Sequence, residues 1–111
     1  MRYFIFSVTL MLCSAIASAV DMPVLAKKKN CTGCHAIERK IVGPSWLDVA
    51  KRYKGNNEAP LFLANKIKVG GFGIWGVLRM PEQNLTNEEA DKLAKFILEL
   101  SDEPPLVASG R

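Results

Sequence analysis

The sequence contains a single histidine, His35, and only three cysteines among its 111 residues. One of them, Cys13, lies inside an uncharged N-terminal run, so the rest of the chain holds only Cys31 and Cys34. A closed structural zinc site usually takes four Cys or His ligands, so zinc here would need a carboxylate to complete its shell. A thioredoxin-like redox pair follows a strand, whereas the residues before Cys31 are lysine-rich and helical in pattern. The sequence therefore matches neither kind of site well.

The five residues Cys31-Thr32-Gly33-Cys34-His35 have the pattern of a covalent haem-attachment site. The two thiols can lie on one helical turn and add to the two vinyl groups of one haem. His35 follows at once and can bind the iron through its imidazole. A structural disulfide is the alternative, because export favours disulfides. We predict one covalently bound haem c, with Cys31 and Cys34 as its thioether residues and His35 as an iron ligand.

The N-terminal segment has the composition of a secretory signal peptide. Arg2 precedes a run without charge over residues 3–20, and Ala17-Ser18-Ala19 has the small-x-small pattern of a signal-peptidase site. An uncleaved membrane anchor is the alternative, because the run is just long enough to span a bilayer. We expect cleavage, a periplasmic location and no stable membrane insertion afterwards. The predicted organisation is a signal peptide at residues 1–19, one domain at residues 20–101 and a loose C-terminal tail at residues 102–111.

Four segments of the remaining chain have apolar residues at helical spacing, and none has a convincing strand pattern. Asp21, Ser45 and Thr86 are the expected caps of the first, second and fourth helices. The last two are each followed three residues later by an acidic residue, as in a capping box. Pro60 is expected to open the third helix, and Gly70 to end it. We predict an all-α fold of about four helices around the haem, which would supply apolar volume that so short a chain lacks.

A second iron ligand from the same chain cannot be another histidine, because His35 is the only one. Outside the leader the methionines are Met22 and Met80. Met22 lies too close before Cys31 to reach the haem face opposite His35. Met80 follows His35 by 45 residues, in a glycine-rich loop at residues 70–84, so the chain can wrap around the haem and return from the other side. We predict Met80 as the second axial ligand, which would raise the reduction potential; the alternative is a space-filling methionine.

The chain after its leader resembles the short, single-haem class I cytochromes c of bacteria, the cytochrome c-551 type, over about residues 21–100. Besides the haem motif, the resemblance rests on the segments Ile41-Val42-Gly43-Pro44, Gly73-Ile74-Trp75-Gly76 and Met80-Pro81. It implies that the Pro44 carbonyl accepts a hydrogen bond from His35 and so orients the ligand. It also implies that the indole of Trp75 contacts a haem propionate.

Two residues depart from the pattern of that family. A proline usually precedes the ligand methionine, whereas this chain has Arg79 there, which is expected to loosen the backbone restraint on Met80. Where relatives carry an arginine toward a propionate, this chain has Lys66. A lysine can pair with the propionate charge, although without the bidentate fork of arginine. Lys66 is therefore a further candidate propionate contact.

The residues and the resemblance together predict a periplasmic electron carrier rather than an enzyme. Its iron would cycle between Fe(II) and Fe(III) while both axial ligands stay bound. A haem gas-binding or sensor protein is the alternative if Met80 does not bind iron. Two others are a haem-binding subunit of a larger oxidase or reductase, and a disulfide-stapled binding module without haem.

The charges are unevenly distributed along the chain. Residues 20–79 contain eleven Lys or Arg and four Asp or Glu, whereas residues 80–103 contain two basic and seven acidic residues. An acidic final helix and the lack of a known binding motif argue against a nucleic-acid partner. We expect a monomer whose redox partners have an acidic docking face. The basic residues expected around the haem are Lys27, Lys28, Lys29, Lys66, Lys68 and Arg79.

Overall fold

The computed structural model describes residues 20–100, so the predicted signal peptide at residues 1–19 and the predicted tail at residues 102–111 lie outside the described residues. Within residues 20–100 the chain forms four α-helices and one short 3-10 turn, and it contains no strand there. The helices are α1 (Val24–Lys28), α2 (Trp46–Tyr53), α3 (Ala59–Val69) and α4 (Asn87–Glu99). This confirms the predicted all-α fold of about four helices.

Side-chain caps begin α2 and α4 as the sequence predicts. At α2, Ser45 Oγ accepts a hydrogen bond from the Asp48 N–H at 3.1 Å. At α4 the capping box is complete: Thr86 Oγ1 accepts from the Glu89 N–H at 3.1 Å, and Glu89 Oε2 accepts from the Thr86 N–H at 3.0 Å. These bonds satisfy backbone donors that a helix N-terminus otherwise leaves unpaired.

The start of α1 differs from the prediction. Pro23 occupies the N-cap position and no side chain caps the helix, so the expectation that Asp21 caps it is wrong. Asp21 instead accepts hydrogen bonds from Lys27 Nζ at 2.8 Å and from the Met22 N–H at 2.9 Å. The hydrogen bond from Lys27 is the main reason why the pKa of the Asp21 carboxyl lies below its usual value.

The core lies where α4 packs against α1, α2 and α3. The ring of Trp46 on α2 meets the ring of Phe96 on α4 edge to face, with centroids 5.9 Å apart. The fully or nearly buried side chains of α4 repeat at helical spacing, and they are Ala90, Leu93, Ala94 and Ile97. Among residues 20–100, no helix is both long enough and apolar enough to cross a membrane.

The glycine-rich loop at residues 70–84 joins α3 to α4. Gly70 ends α3 with φ of 70°, a left-handed value that favours glycine. The loop then turns back on itself through backbone hydrogen bonds, one of which runs from the Gly73 N–H to the Gly76 carbonyl at 2.9 Å. It returns toward the end of α3, where the Gln83 N–H donates to the Lys68 carbonyl at 2.9 Å.

Candidate functional site

A cavity of about 730 Å³ opens between the helical core and the glycine-rich loop. Cys31, Cys34 and His35 line it from one segment of the chain, and Met80 lines it from the loop. The structure thus brings Met80 to the same cavity as Cys31, Cys34 and His35, although it follows His35 by 45 residues in the chain. Met22 packs instead against the hydrophobic core and is not part of the cavity lining.

A short turn carries the two cysteines. Asn30 has φ of 61° and ψ of 23°, a left-handed conformation that asparagine tolerates better than most residues. It separates α1 from the 3-10 turn Cys31–Gly33, which is the helical turn on which the two thiols were expected to lie. The His35 N–H donates to the Cys31 carbonyl at 2.9 Å, so the same turn fixes the backbone of the predicted ligand.

The chemistry of the two thiols favours the haem interpretation over its rivals. Burial raises the pKa of the Cys31 thiol, so Cys31 is a poor attacking nucleophile for thiol–disulfide exchange. Cys31 and Cys34 are not joined by a disulfide. Within residues 20–100, no group of three or more His, Cys, Asp or Glu side chains is placed to hold a metal ion, so a zinc site finds no further ligands there.

A hydrogen bond from its ring fixes the imidazole of His35. Nδ1–H donates to the Pro44 carbonyl at 2.8 Å, as the resemblance implies. Because Nδ1 carries the proton in this bond, Nε2 keeps its lone pair for a metal. The half-buried ring also approaches Trp46, with centroids 6.1 Å apart. The side chain is therefore held in one tautomer and one orientation.

The apolar wall of the cavity fits a large apolar body such as the haem macrocycle. Phe72, Val77 and Leu78 all line the cavity, and their side chains are 64%, 92% and 65% exposed. A small protein rarely leaves such a contiguous apolar patch open to water unless a ligand or partner covers it. Two thiols, a preoriented imidazole and a thioether on the same cavity complete the set of groups that haem c requires.

The two candidate propionate contacts also lie at the cavity. Trp75 and Lys66 both line it, and Lys66 Nζ is 5.8 Å from the centroid of the Phe62 ring. The guanidinium carbon of Arg52 on α2 lies 5.0 Å from the centroid of the Trp75 ring, within cation–π distance. The sequence does not reveal that Arg52 neighbours Trp75, because Arg52 is one of several charged residues on the exposed side of α2.

The sequence profile of the cytochrome c family matches residues 23–101 of this chain. The chain is 51% identical over 76 residues to cytochrome c-552 of Hydrogenobacter thermophilus, a match covering 68% of this chain and 78% of the relative. It is 45% identical over 82 residues to cytochrome c-551 of Pseudomonas aeruginosa, covering 74% and 79% of the two chains. The crystal structure of wild-type Nitrosomonas europaea cytochrome c552 superposes with a TM-score of 0.67 at 45% identity, covering 68% of this chain and 95% of that one.

Proposed function

Because this chain belongs to the cytochrome c family, as a small class I member with one covalent haem c and an electron-carrier role, we propose that it works in the periplasm with His35 and Met80 as iron ligands. Cys31 and Cys34 would hold the haem through thioether bonds. When bound, the haem supplies an iron centre that gains and loses one electron. The observation that carries the proposal is that all four side chains line one cavity.

The protein side chains have static roles in this proposal. Pro44 holds His35 in one tautomer, so the imidazole can remain bound in both oxidation states without turning. The neutral thioether of Met80 favours the reduced iron and raises the reduction potential. Transfer of an electron needs no proton donor and no nucleophile among these residues, which supports a carrier rather than an enzyme.

Trp75 and Lys66 are proposed to bind the haem propionates. The indole N–H of a partly buried tryptophan seeks an acceptor, and a propionate can be that acceptor. The ammonium of Lys66 can neutralise a propionate as a compact charge. Support for both assignments is their position on the lining of the cavity.

The composition of residues 1–19 is the support for the proposed periplasmic location. The proposed division into a signal peptide, one domain at residues 20–101 and a tail has the same support. Covalent haem attachment to paired cysteines fits an exported chain. Immunodetection of the mature N-terminus at Val20 in a periplasmic fraction would support cleavage after Ala19.

Partners are proposed to be redox proteins with an acidic docking face. Two of the expected basic residues are less available for docking because each forms an ion pair within the protein. Lys27 pairs with Asp21 at 2.8 Å, and Lys29 pairs with Glu89 at 3.5 Å. Arg79 lies in the glycine-rich loop at the cavity and is exposed. We therefore expect Arg79 to matter most for docking.

Gel filtration of native extract distinguishes a monomeric carrier from a permanent subunit of a larger oxidase or reductase.

Replacing Met80 tests the ligand assignment. Met80→Ala should leave the haem attached, lower the reduction potential and open the ferrous iron to carbon monoxide. The sulfur-to-iron charge-transfer band in the near infrared should disappear from the ferric spectrum. Met22→Ala is the matched control, since Met22 lies outside the cavity, and it should keep the band. If ferrous Met80→Ala binds carbon monoxide no better than the wild type, Met80 is not the ligand.

A further inference from the structure

Two backbone hydrogen bonds between Gly71 and Met80 close the part of the glycine-rich loop that lies between these two residues. The Gly71 N–H donates to the Met80 carbonyl at 3.0 Å, and the Met80 N–H donates to the Gly71 carbonyl at 2.8 Å. Such a reciprocal pair fixes two residues opposite each other, as in an antiparallel ladder. We call Gly70, Gly71, Met80 and Pro81 the loop neck. The neck ties the backbone of Met80 to the end of α3.

Gly70 is the residue that lets the two sides of the loop neck come together. A Cβ atom built on Gly70 would overlap the Met80 carbonyl oxygen and would lie 2.8 Å from the carbonyl carbon of Pro81. The obstructing atoms are backbone, so they cannot move aside as a flexible side chain could. Gly70 itself is buried, although the loop neck as a whole lines the cavity.

The loop neck can supply the restraint on Met80 that is expected to be weaker because Arg79, and not a proline, precedes it. A proline before the methionine would restrain Met80 through its own ring, and this chain has no proline there. In the structure the restraint comes from across the loop, through the hydrogen bonds to Gly71. The guanidinium carbon of Arg79 lies 4.8 Å from the centroid of the Phe72 ring, so the pair next to the neck is also in contact.

We propose that Gly70 is a positioning residue for Met80: its missing side chain allows the loop neck to close, and neck closure places the thioether on the iron. This inference rests on the proposed function, because it requires Met80 to be an iron ligand. In this role the effect of Gly70 is transmitted through the Met80 backbone.

Gly70→Ala tests the proposal, and Gly55→Ala is its matched control. Both glycines have a positive φ, 70° and 77°, so alanine strains both backbones. The strain is greater at Gly70, because its ψ of −162° belongs to a region that only glycine readily adopts. Only at Gly70 does the new Cβ meet other atoms, because nothing lies within 4 Å of a Cβ on Gly55. We expect ferric Gly70→Ala to lose most of the near-infrared sulfur-to-iron band. Ferrous Gly70→Ala should bind carbon monoxide at least roughly tenfold more tightly than the wild type, a change of about 1.4 kcal/mol. Gly55→Ala should match the wild type in both.

The outcomes separate this proposal from the assignment of Met80. A wild-type ferric protein without the band would overturn both. A wild type with the band, and a Gly70→Ala variant that keeps it at full strength, would overturn only the role of Gly70. Equal loss of the band in Gly55→Ala would do the same, because strain alone would then explain it.

Amide hydrogen exchange of the wild-type holoprotein keeps the proposal testable if Gly70→Ala does not accumulate. The Gly71 and Met80 amides should exchange far more slowly than the Val77 amide, which donates to no backbone carbonyl among residues 20–100. Exchange of all three at similar rates would show that the loop neck does not hold Met80, and the proposal would fail.

Discussion

His35 has almost no free space on the side that faces Gly43. A Cβ atom on Gly43 would overlap the imidazole Cε1 and lie 2.9 Å from Nδ1, the atom that donates to Pro44. The φ of Gly43 is not left-handed, so its backbone conformation would allow an alanine. Only the overlap with the imidazole of His35 excludes one. The glycine before Pro44 is therefore required by the position of the ligand ring.

Gly43→Ala should displace the ring of His35 and lengthen or break its hydrogen bond to Pro44. We expect a loss of about 1–3 kcal/mol in the free energy of unfolding, the usual cost of overpacking. Urea unfolding followed through haem absorbance measures it. Gly33→Ala is the control within the same site, because nothing lies within 4 Å of a Cβ there. Equal stability and equal spectra for the two variants would show that His35 can move aside.

At this scale, local sequence predicts the residues whose chemistry requires them to be neighbours. Cys31, Cys34 and His35 were found because one haem has to reach all three from one turn. The sequence names Gly43 in a segment shared with the family and predicts that Gly70 ends α3, but it does not predict that Gly43 lies against His35 or Gly70 against Met80. Their role depends on what the fold brings against them, and one chain segment does not reveal its tertiary neighbours.

The helices show the same division between local and tertiary causes. The caps of α2 and α4 were predicted because a capping box is contained in four consecutive residues. The start of α1 was predicted wrongly because Asp21 has a competing partner, Lys27, that a local pattern does not reveal. The closure of the glycine-rich loop could not be predicted, since it has no periodicity and depends on backbone bonds between distant residues.

Glu89 gives α4 a stability that depends on pH. The hydrogen bond from the Thr86 N–H is the main cause that lowers the pKa of Glu89 below its usual value, and Lys29 adds to it. A carboxyl whose pKa is lower in the folded state contributes stability at neutral pH and loses it as the pH falls through the folded pKa. The contribution of Glu89 should therefore be complete above the usual pKa of a glutamate and be lost as the pH falls through the lower pKa of the folded state.

Glu89→Gln should lower the midpoint of thermal unfolding at neutral pH more than Glu88→Gln does. Glu88 is a matched control, because it lies in the same first turn of α4 and carries the same charge. The difference between the two variants should shrink as the pH is lowered through the folded pKa of Glu89. Thermal unfolding at several pH values measures it, and a difference that stays constant with pH would contradict the assigned role.

At the scale of the whole molecule, docking is proposed to depend on positive charge next to the cavity, which Lys40, Lys66 and Arg79 line, whereas Lys27, Lys28, Lys29 and Lys68 do not. The basic residues of residues 20–79 and the acidic residues of α4 give the protein an asymmetric charge distribution. Complementary charge mainly raises the association rate of a transient redox pair, and salt screens it over about 8 Å at physiological ionic strength. Electron transfer with the native partner should therefore slow as salt is added.

Arg79→Glu should slow the second-order rate of electron transfer with the native partner more than Lys95→Glu or Glu99→Lys does. Lys95→Glu changes the net charge by the same amount as Arg79→Glu, but on the exposed surface of α4. It therefore shows how much of the effect comes from net charge alone. Stopped-flow rates at low and high salt measure the effect, and the difference between variants should narrow at high salt. Rates that stay flat or rise with salt would indicate an apolar docking patch instead.

The central claim is that one covalent haem is held by His35 and Met80 in a protein that only exchanges electrons. A potentiometric titration of protein isolated from the periplasm, followed by visible and near-infrared absorption, tests it most directly. We expect one reversible one-electron transition of a low-spin haem, with a sulfur-to-iron band in the ferric form that vanishes on reduction. A protein without covalent haem absorption, or a ferric spectrum without that band, would contradict it.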